Sequence, residues 1–547
     1  MKRLVIIALL AGAGAVAWYQ AGTGPKPLAQ LLPAGALLTL EAKDFSRLLT
    51  DWNSSAAKPD WLNGANYQEF ERSNLFLKLN GVYKSYSSAA GFSPDMASLL
   101  SFAGDQSALA LYDLQSVQFA YISRMPQAKA AQSRLWLARL SYESRQAAGV
   151  TFYVNSVQQS TVAFAITNGY LLVSTGEERM AGMLGLLTGK DTPSIASEGW
   201  YRQSTEAAGE AGELRLAMNL ENLVESSYFR SYWVQRNVSE VRRFLSGVAD
   251  ITRTASDLKE RRVFMKRPGL VEELTSSEEL AAAGTLSKLT PDGAGLSRVW
   301  AKPSRSDAVA LLDGKLFRPR AQSDVEPRYA PVEGDSSGAG SEADLETRID
   351  QPPLRPGSDP GAAAKILAQS DVLAMLQVQS SKARPASPFV TLPCAVGLIS
   401  NSAWDVQRIK DSIGGAWITQ THGAHTLYRA DGLSPVTFSV DATLLLFAND
   451  TELLQGLVDR TPVPSGSPLN ATYAASFRHD RERANYLRLM NALDFRQSQT
   501  SQQPVYFSGN LASLSSALSR VNGIEMTERT TADRVEQQVV YQLLQLR

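Results

Sequence analysis

The chain repeats a block of strand, turn, strand and helix, and this repeat constrains its fold more than any other feature. Residues 162–174 (VAFAITNGYLLVS) align without a gap with residues 436–448 (VTFSVDATLLLFA). Each block has an alternating apolar stretch, a short turn and a second apolar stretch, which together predict a β-hairpin. The residues after each hairpin match as the start of a helix would: Glu178, Met180 and Met183 correspond to Glu452, Leu454 and Leu457.

Three further pairs of segments match in the same order along the chain: residues 32–38 with 290–296, 216–223 with 507–514, and 245–251 with 518–524. Matches that keep their order predict a tandem duplication of one domain. The alternative is that unrelated units of hairpin and helix resemble one another, as they do in many α+β proteins.

The pattern predicts two similar α+β domains, each a largely antiparallel sheet with helices packed on one face. Strands joined by short turns favour antiparallel pairing over βαβ units. We place the first domain at residues 25–283 and the second at residues 285–547. Residues 318–362 are rich in Pro, Gly, Ser and acidic side chains, so they predict a disordered insertion within the second domain.

The first 22 residues read as a signal peptide or a membrane anchor. Lys2 and Arg3 precede an apolar stretch at residues 4–17, and Trp18 and Tyr19 follow it. A basic start and a short apolar run are typical of export signals, and aromatic residues are typical of membrane interfaces. We therefore expect a bacterial protein that is anchored in the inner membrane facing the periplasm or is secreted to the periplasm.

Charge and motifs exclude several classes of partner. The 54 basic residues balance the 54 acidic residues, so the excess of positive charge that is typical of nucleic-acid binders is absent. The sequence has no phosphate-binding loop and no dinucleotide-binding glycine motif, so we predict no nucleotide and no cofactor. Its single cysteine, Cys394, excludes an intramolecular disulfide and reads as a buried structural thiol.

Three short motifs resemble catalytic or metal sites without their required context. Ser336 lies in a G-x-S-x-G match inside the predicted disordered insertion, not on a turn between strand and helix. Ser55 and Lys58 form an S-x-x-K match, but Pro59 follows and makes a helix unfavourable there. His422 and His425 have H-x-x-H spacing and read as loop residues before a strand. We predict no catalytic residue and no metal ligand.

The first half carries an addition, residues 226–251, that is the best candidate contact surface. Apolar residues spaced by three and four predict an amphipathic helix there, and they are Val234, Val238, Val241, Leu245 and Val248. Aromatic and arginine side chains of the same segment suit a protein interface or an anionic membrane surface. Packing on its own domain with extended arginines is the alternative. The candidate contact residues are Tyr228, Phe229, Arg230, Tyr232, Trp233, Arg236, Arg242 and Arg243.

The start of the chain resembles exported bacterial proteins of unknown function. The resemblance is carried by residues 31–38 (LLPAGALL), residues 41–46 and the strand and helix block at residues 170–187. In those proteins an N-terminal signal or anchor precedes an LPA-type start and similar repeated blocks. The resemblance implies export and carries no functional residue.

These features favour a non-enzymatic scaffold or binding protein of the cell envelope. We expect its partners to be the inner membrane, through the N-terminal segment, and another envelope protein. Two alternatives stay open at this stage: an extracytoplasmic hydrolase with an unrecognised site, and a carrier of a lipid or another apolar ligand.

Overall fold

The structure is a computed structural model that describes residues 26–64, 67, 70–71, 74–190, 192–226, 241–269, 273–317, 361–381, 393–430, 435–461, 468–484 and 520–544. The chain forms two compact units. As far as their residues are described, unit 1 comprises Met1–Ser54, Lys78–Glu206 and Leu214–Tyr228, and unit 2 comprises Ser55–Leu77, Ala207–Glu213 and Phe229–Arg547. Helix and strand are mixed throughout, and the sheet is large and antiparallel, as the predicted α+β class requires.

The strands of unit 1 are β1 Leu38–Lys43, β2 Gln106–Asp113, β3 Gln118–Arg124, β4 Glu143–Ala147, β5 Val150–Val157, β6 Ser160–Thr167, β7 Tyr170–Ser174 and β8 Leu214–Met218. The described helices before residue 230 are α1 Phe45–Ser54, α2 Ala57–Leu62, α3 Asn74–Ala90, α4 Met96–Phe102, α5 Gln127–Ala130, α6 Arg134–Leu137, α7 Glu177–Leu187, α8 Gly199–Ala208 and α9 Leu220–Glu225. The strands pair antiparallel in the order β4–β5–β6–β7–β3–β2–β1–β8.

The strands of unit 2 are β9 Phe244–Arg253, β10 Asp257–Lys266, β11 Ala294–Ala301, β12 Val372–Ser380, β13 Cys394–Ser400, β14 Ile418–His422, β15 His425–Ala430, β16 Val436–Asp441, β17 Leu444–Ala448, β18 Tyr473–Phe477, β19 Val521–Thr530 and β20 Arg534–Leu543. Its described helices after residue 230 include α10 Ser277–Ser287, α11 Arg305–Leu312, α12 Ala362–Leu367, α13 Val406–Ile413 and α14 Thr451–Val458.

The sheet of unit 2 begins with the strand order of unit 1. Antiparallel pairing runs β14–β15–β16–β17–β13–β12–β11–β18 and continues as β19–β20–β10–β9. The first eight strands therefore take, one for one, the places of β4, β5, β6, β7, β3, β2, β1 and β8.

The two predicted hairpins are confirmed, and they share one register. Phe164 faces Val173 in β6–β7, and Phe438 faces Phe447 in β16–β17. Asn168 and Gly169, which turn the first hairpin, both have positive φ angles of 51° and 77°. A two-residue turn with this twist needs both residues in the left-handed region. The helices predicted after the hairpins are α7 and α14.

A buried phenylalanine occupies the same place in each unit. Phe164 stacks on Tyr153 with ring centroids 5.2 Å apart, and Phe438 lies 5.0 Å from Tyr428. Both phenylalanines are fully buried. Each pair joins neighbouring strands, so the repeated aromatic positions of the sequence become cross-strand contacts.

Helices cover both faces of the sheet in unit 2, so the expectation of helices on one face was wrong there. Helices α10 and α14 pack on the face that carries Ala374 and Leu376 of β12. Helices α11, α12 and α13 pack on the opposite face, which carries Met375. The central strands are apolar on both sides, and burying both faces requires two helical layers.

The predicted amphipathic helix at residues 226–251 was wrong for its last part. Leu245 and Val248 lie in β9, which pairs along its length with β10. Val234 and Val238 lie outside the described residues. Residues 244–253 also fit alternation, and pairing with a distant strand decided between the two periods.

Strands β9 and β10 lie in unit 2 because β10 pairs with β20, the last strand of the chain. The compact units therefore divide the chain at places other than residues 283–285. The domain boundary placed there from the sequence stays a prediction. The N-terminal segment and the insertion up to residue 360 lie outside the described residues. Within the described helices, none is long and apolar enough to cross a membrane.

Candidate functional site

Two backbone hydrogen bonds show which residues of the two units correspond directly after β8 in unit 1 and after β18 in unit 2. The Asn219 amide donates to the Leu37 carbonyl at 2.8 Å in unit 1. The Arg478 amide donates to the Gly295 carbonyl at the same distance in unit 2. A helical segment follows each time, α9 after Asn219 and residues 479–484 after Arg478.

This correspondence corrects one of the sequence matches. Residues 507–514, which were matched to residues 216–223, lie outside the described residues. The described strand that takes the place of β8 is β18, at Tyr473–Phe477.

Unit 2 buries a histidine and a glutamate where unit 1 buries two leucines. Leu220 and Leu223 of α9 are 4% and 6% exposed, and the corresponding His479 and Glu482 are 0% and 1% exposed. Residues three apart lie on one face of a helix, so both pairs point into their own unit. Glutamate is almost never fully buried unless it is paired, and histidine is buried less often than leucine.

The neighbouring strand differs in the same sense. Leu38 pairs with Leu111 in unit 1, and its counterpart Leu296 pairs with Gln379 in unit 2. Two residues further along, Leu109 is replaced by Gln377, which is 1% exposed. We call Gln377, Gln379, His479 and Glu482 the polar cluster of unit 2.

Glu482 is held by a hydrogen bond and by a glycine. The Gln379 Nε2 donates to Glu482 Oε2 at 3.3 Å. A Cβ atom at Gly295 would overlap the Glu482 carboxylate, so the carboxylate occupies the space of the missing side chain. Unit 1 has Leu37 at that position. The buried position of the Glu482 carboxylate therefore depends on the absence of a side chain at Gly295.

His479 is a buried imidazole. Its ring packs near that of Phe477, with centroids 6.1 Å apart. Burial lowers the pKa of His479 below its ordinary value of 6.5, the Arg483 cation lowers it further, and the Val521 backbone and Asp480 oppose the shift. Burial therefore disfavours the protonated, charged form of the His479 side chain.

Cys394 is buried at the start of β13, as its sequence context predicted. Burial raises the pKa of the thiol to about 11. The thiolate, which is the reactive form, is therefore scarce at neutral pH. Its backbone amide donates to Asn449 Oδ1 at 2.8 Å, as the Phe119 amide of unit 1 donates to Thr175 Oγ1.

His422 and His425 close the β14–β15 hairpin and face each other across it, so their assignment to a loop was wrong. His422 Nε2 lies 2.7 Å from Asp459 Oδ1, and His425 Nε2 lies 3.1 Å from Thr461 Oγ1. Both rings thus dock the hairpin onto the segment after α14. The two-residue turn makes His422 and His425 cross-strand neighbours. The H-x-x-H spacing is the same in a hairpin and in a loop, so the sequence alone does not distinguish the two.

A shallow surface depression lies beside this hairpin, lined by His425, Asp441 and Thr461 among others. In the part of the chain that the structure describes, no three His, Cys, Asp or Glu side chains are grouped closely enough to hold a metal ion.

The remaining sequence candidates are not brought together. Ser55 lies between α1 and α2 and belongs to neither helix, whereas Lys58 and Pro59 lie in the first turn of α2. Proline is tolerated in a first turn because its missing amide needs no partner there. Ser336 lies outside the described residues.

Most of the predicted contact surface also lies outside the described residues, from Tyr228 to Arg236. Arg242 and Arg243 are exposed in the turn before β9, and the Arg243 carbonyl accepts a hydrogen bond from the Arg267 amide at 2.9 Å. The contact surface stays a prediction.

The LPA-type start is built into the packing of unit 1. The Tyr112 hydroxyl donates to the Pro33 carbonyl at 2.8 Å, and the Gly35 amide donates to Glu198 Oε1 at 3.1 Å. A Cβ atom at Gly182 would lie 2.9 Å from the Pro33 ring, so α7 approaches the motif closely. These contacts give the motif a structural role.

Sequence reasoning missed the polar cluster. The H-x-x-E spacing of His479 and Glu482 follows a short strand, as Leu220 and Leu223 follow β8. Matching residues 216–223 to 507–514 hid this relation, because it compared apolar residues with apolar residues and passed over the polar substitutions.

No protein-family model matches the chain, and no curated protein matches it. Among solved structures, crystal forms III and I of TP0453 are 12% and 15% identical to it, with TM-scores of 0.26 and 0.25. Each alignment covers 46% of this chain, and they cover 83% and 82% of TP0453. Similarity at these scores supports no conclusion about fold or function.

Proposed function

We propose that the chain is a non-enzymatic scaffold or binding protein of the bacterial cell envelope. The observation that carries the proposal is how unit 2 uses the side chains that could perform chemistry. His422 and His425 dock a hairpin onto Asp459 and Thr461, and Cys394 is buried with a raised thiol pKa. Engagement of these groups in packing supports a binding role over a catalytic one.

The proposal includes export and attachment through residues 1–22. The support is the sequence of that segment, with Lys2 and Arg3 before the apolar run at residues 4–17 and Trp18 and Tyr19 after it. The chain would then act in the periplasm, either anchored or released.

The proposal also includes a tandem duplication, with copies at about residues 25–283 and 285–547. Its support is the common order of eight strands and the common register of the β6–β7 and β16–β17 hairpins. In this proposal the polar cluster of unit 2 marks a place where the two copies differ.

The partner in this proposal is another envelope protein that contacts residues 228–243. Arg242 and Arg243, at the end of this segment, are exposed. Arginine and aromatic side chains are enriched at protein interfaces and carry much of their binding energy.

Co-purification from gently solubilised membranes tests the proposal, with mass spectrometry of the bound material. We expect a stoichiometric envelope protein that is lost in the Arg242→Glu, Arg243→Glu variant. The matched control is Arg408→Glu on α13, whose side chain is 71% exposed. Capture that is equal in both variants would move the contact elsewhere.

Two results would replace the proposal. A bound lipid in place of a protein would favour a carrier. A hydrolytic activity that disappears in the His422→Ala, His425→Ala variant while the fold survives would make the protein an enzyme.

A further inference from the structure

Strand β14, Ile418–His422, is an edge strand of the sheet in unit 2. Its partner among the described strands is β15 alone. Thr419 and Thr421 are exposed, and the Ile418 side chain is 49% exposed. One side of β14 is therefore without a strand partner in the part of the chain that the structure describes.

Thr419 and Thr421 supply the backbone groups of this open side. His422 and His425 flank a two-residue turn, so they form the hydrogen-bonded pair that closes the hairpin. Hydrogen-bonded and non-hydrogen-bonded pairs alternate along an antiparallel ladder, so Gln420 also bonds to β15. The amide and carbonyl groups of the two threonines consequently point away from β15.

The edge strand of unit 1 carries charges where β14 carries none. In β4, the side chains of Glu143 and Arg145 pair at 2.6 Å. Both edge strands have five residues and end at a two-residue turn, so Arg145 corresponds to Gln420. Glu143 likewise corresponds to Ile418. Charged side chains protect an edge strand from pairing with another chain, and β14 lacks this protection.

Two copies of β14 fit each other in one antiparallel register. Pairing of all five residues places Gln420 opposite Gln420 of the second copy, and Thr419 opposite Thr421 of the second copy. The two threonine pairs then exchange two backbone hydrogen bonds each, because the threonines turn these groups to the open side. The two glutamines lie at the two-fold axis as a non-hydrogen-bonded pair, which has the closest side chains of the ladder.

The residue at the two-fold axis distinguishes the two edges. Glutamine amides can each donate and accept a hydrogen bond, so two Gln420 side chains are complementary. The same register of β4 would place Arg145 opposite Arg145 of a second copy, and like charges directly opposite are destabilising. The register that β14 permits is therefore unfavourable for the corresponding strand of unit 1.

We propose that β14 pairs with β14 of a second copy of the chain, which joins the sheets of two copies of unit 2 about a two-fold axis. The uncharged edge and its fit to itself identify the occupant. Self-association through β14 is independent of the envelope location and of the partner at residues 228–243 that are proposed above.

The contact is small, and the surrounding charges lie further in. Five residues on each side bury less surface than a permanent dimer needs, so we expect a reversible dimer that depends on concentration. Arg429 lies in β15 opposite Ile418, and Lys410 Nζ lies 4.1 Å from the ring centre of Tyr428 in β15. Both cations are thus one strand inside the edge.

Disulfide trapping tests the pairing in the full chain, purified in detergent. Gln420→Cys places a thiol at the two-fold axis, where Cα atoms of a non-hydrogen-bonded pair lie about 4.5 Å apart, within the span of a disulfide. Cys394 is buried and does not compete for the oxidant. The matched control is Thr426→Cys, an exposed position of β15 whose counterpart in the second copy lies three strand spacings away, about 14 Å. We expect a linked dimer from the first variant and none from the second.

Sedimentation velocity over a concentration series measures the dimer without a cross-link. Gln420→Arg gives β14 the residue of β4 at the axis and should raise the dissociation constant of the dimer at least about tenfold, since like charges that meet at an interface repel. The control is Gln115→Arg, the same substitution at an exposed turn residue of unit 1, which should leave the dissociation constant unchanged.

Three results would overturn the proposal. Equal trapping at positions 420 and 426, or a dissociation constant that Gln420→Arg leaves unchanged, would place any association elsewhere. A thiol at position 420 that resists a maleimide in the monomer would show that another segment of the same chain covers β14. A thiol there that reacts with the maleimide but forms no linked dimer would leave the edge to an extended segment of another protein.

Discussion

The helix after β8 and the helical segment after β18 occupy the same place in two sheets of the same strand order, yet they bury opposite kinds of side chain. Unit 1 inserts Leu220 and Leu223, and unit 2 inserts His479 and Glu482. The difference shows that the same strand arrangement can bury a carboxylate where the surrounding residues also differ. Gly295 and Gln379 supply the space and the hydrogen bond that Leu37 and Leu111 do not.

The largest effect should follow from placing a carboxylate in the unit that lacks this support. We expect Leu223→Glu to lower the free energy of unfolding by about 3–5 kcal/mol, because an uncompensated buried charge costs that much. Urea denaturation measures it. The control is Leu223→Met, which keeps volume and polarity and should cost less than about 1.5 kcal/mol. A Glu variant as stable as the Met variant would show that unit 1 supports the charge by other means.

A smaller effect should follow from closing the space that unit 2 leaves open. Gly295→Ala places a methyl group on the Glu482 carboxylate and should cost about 1–3 kcal/mol, as overpacking does. Gly293→Ala, where nothing lies within 4 Å of the added Cβ, is the matched control. Denaturation curves compare the two, and equal stability would mean that Glu482 moves aside freely.

The buried histidine should make unit 2 sensitive to acid. The pKa of His479 is lowered in the folded state, so below pH 6.5 the unfolded chain binds the proton more tightly. The contribution of neutral His479 to the free energy of unfolding is fully present above pH 6.5. It is lost as the pH falls from 6.5 towards the pKa of His479 in the folded state. His479→Leu, the residue of unit 1, should flatten this part of the stability profile in urea denaturation. An unchanged slope in that variant would assign the acid sensitivity to another group.

The smallest effect on stability should come from the partly exposed pair of His422 and Asp459. His422→Gln removes the contact with Asp459, whose side chain is 64% exposed, so we expect a loss of less than about 1 kcal/mol. Thermal denaturation at neutral pH measures it. A loss of unfolding free energy as large as that of Gly295→Ala would contradict this expectation. It would mean that docking of the β14–β15 hairpin stabilises unit 2 as much as the space at Gly295 does.

Local patterns predicted the hairpins and the helices that follow them. Residues 162–174 and 436–448 became hairpins of one register because alternation and turn chemistry act between neighbours in the chain. The prediction failed where two periods fitted, as at Leu245 and Val248, and where helices cover both faces of the sheet in unit 2. It also missed His479 and Glu482, because burial of a polar residue depends on distant partners such as Gln379 and Gly295.

The sequence by itself determined the mixed class, the repeated hairpins, the neutral charge and the buried place of Cys394, because each follows from composition or from contacts a few residues long. Only the tertiary structure decided that β10 pairs with β20, that β18 takes the place of β8 and that four polar residues of unit 2 replace leucines of unit 1. Such pairings join residues far apart in the chain, and their energies come from packing and desolvation that no local pattern contains.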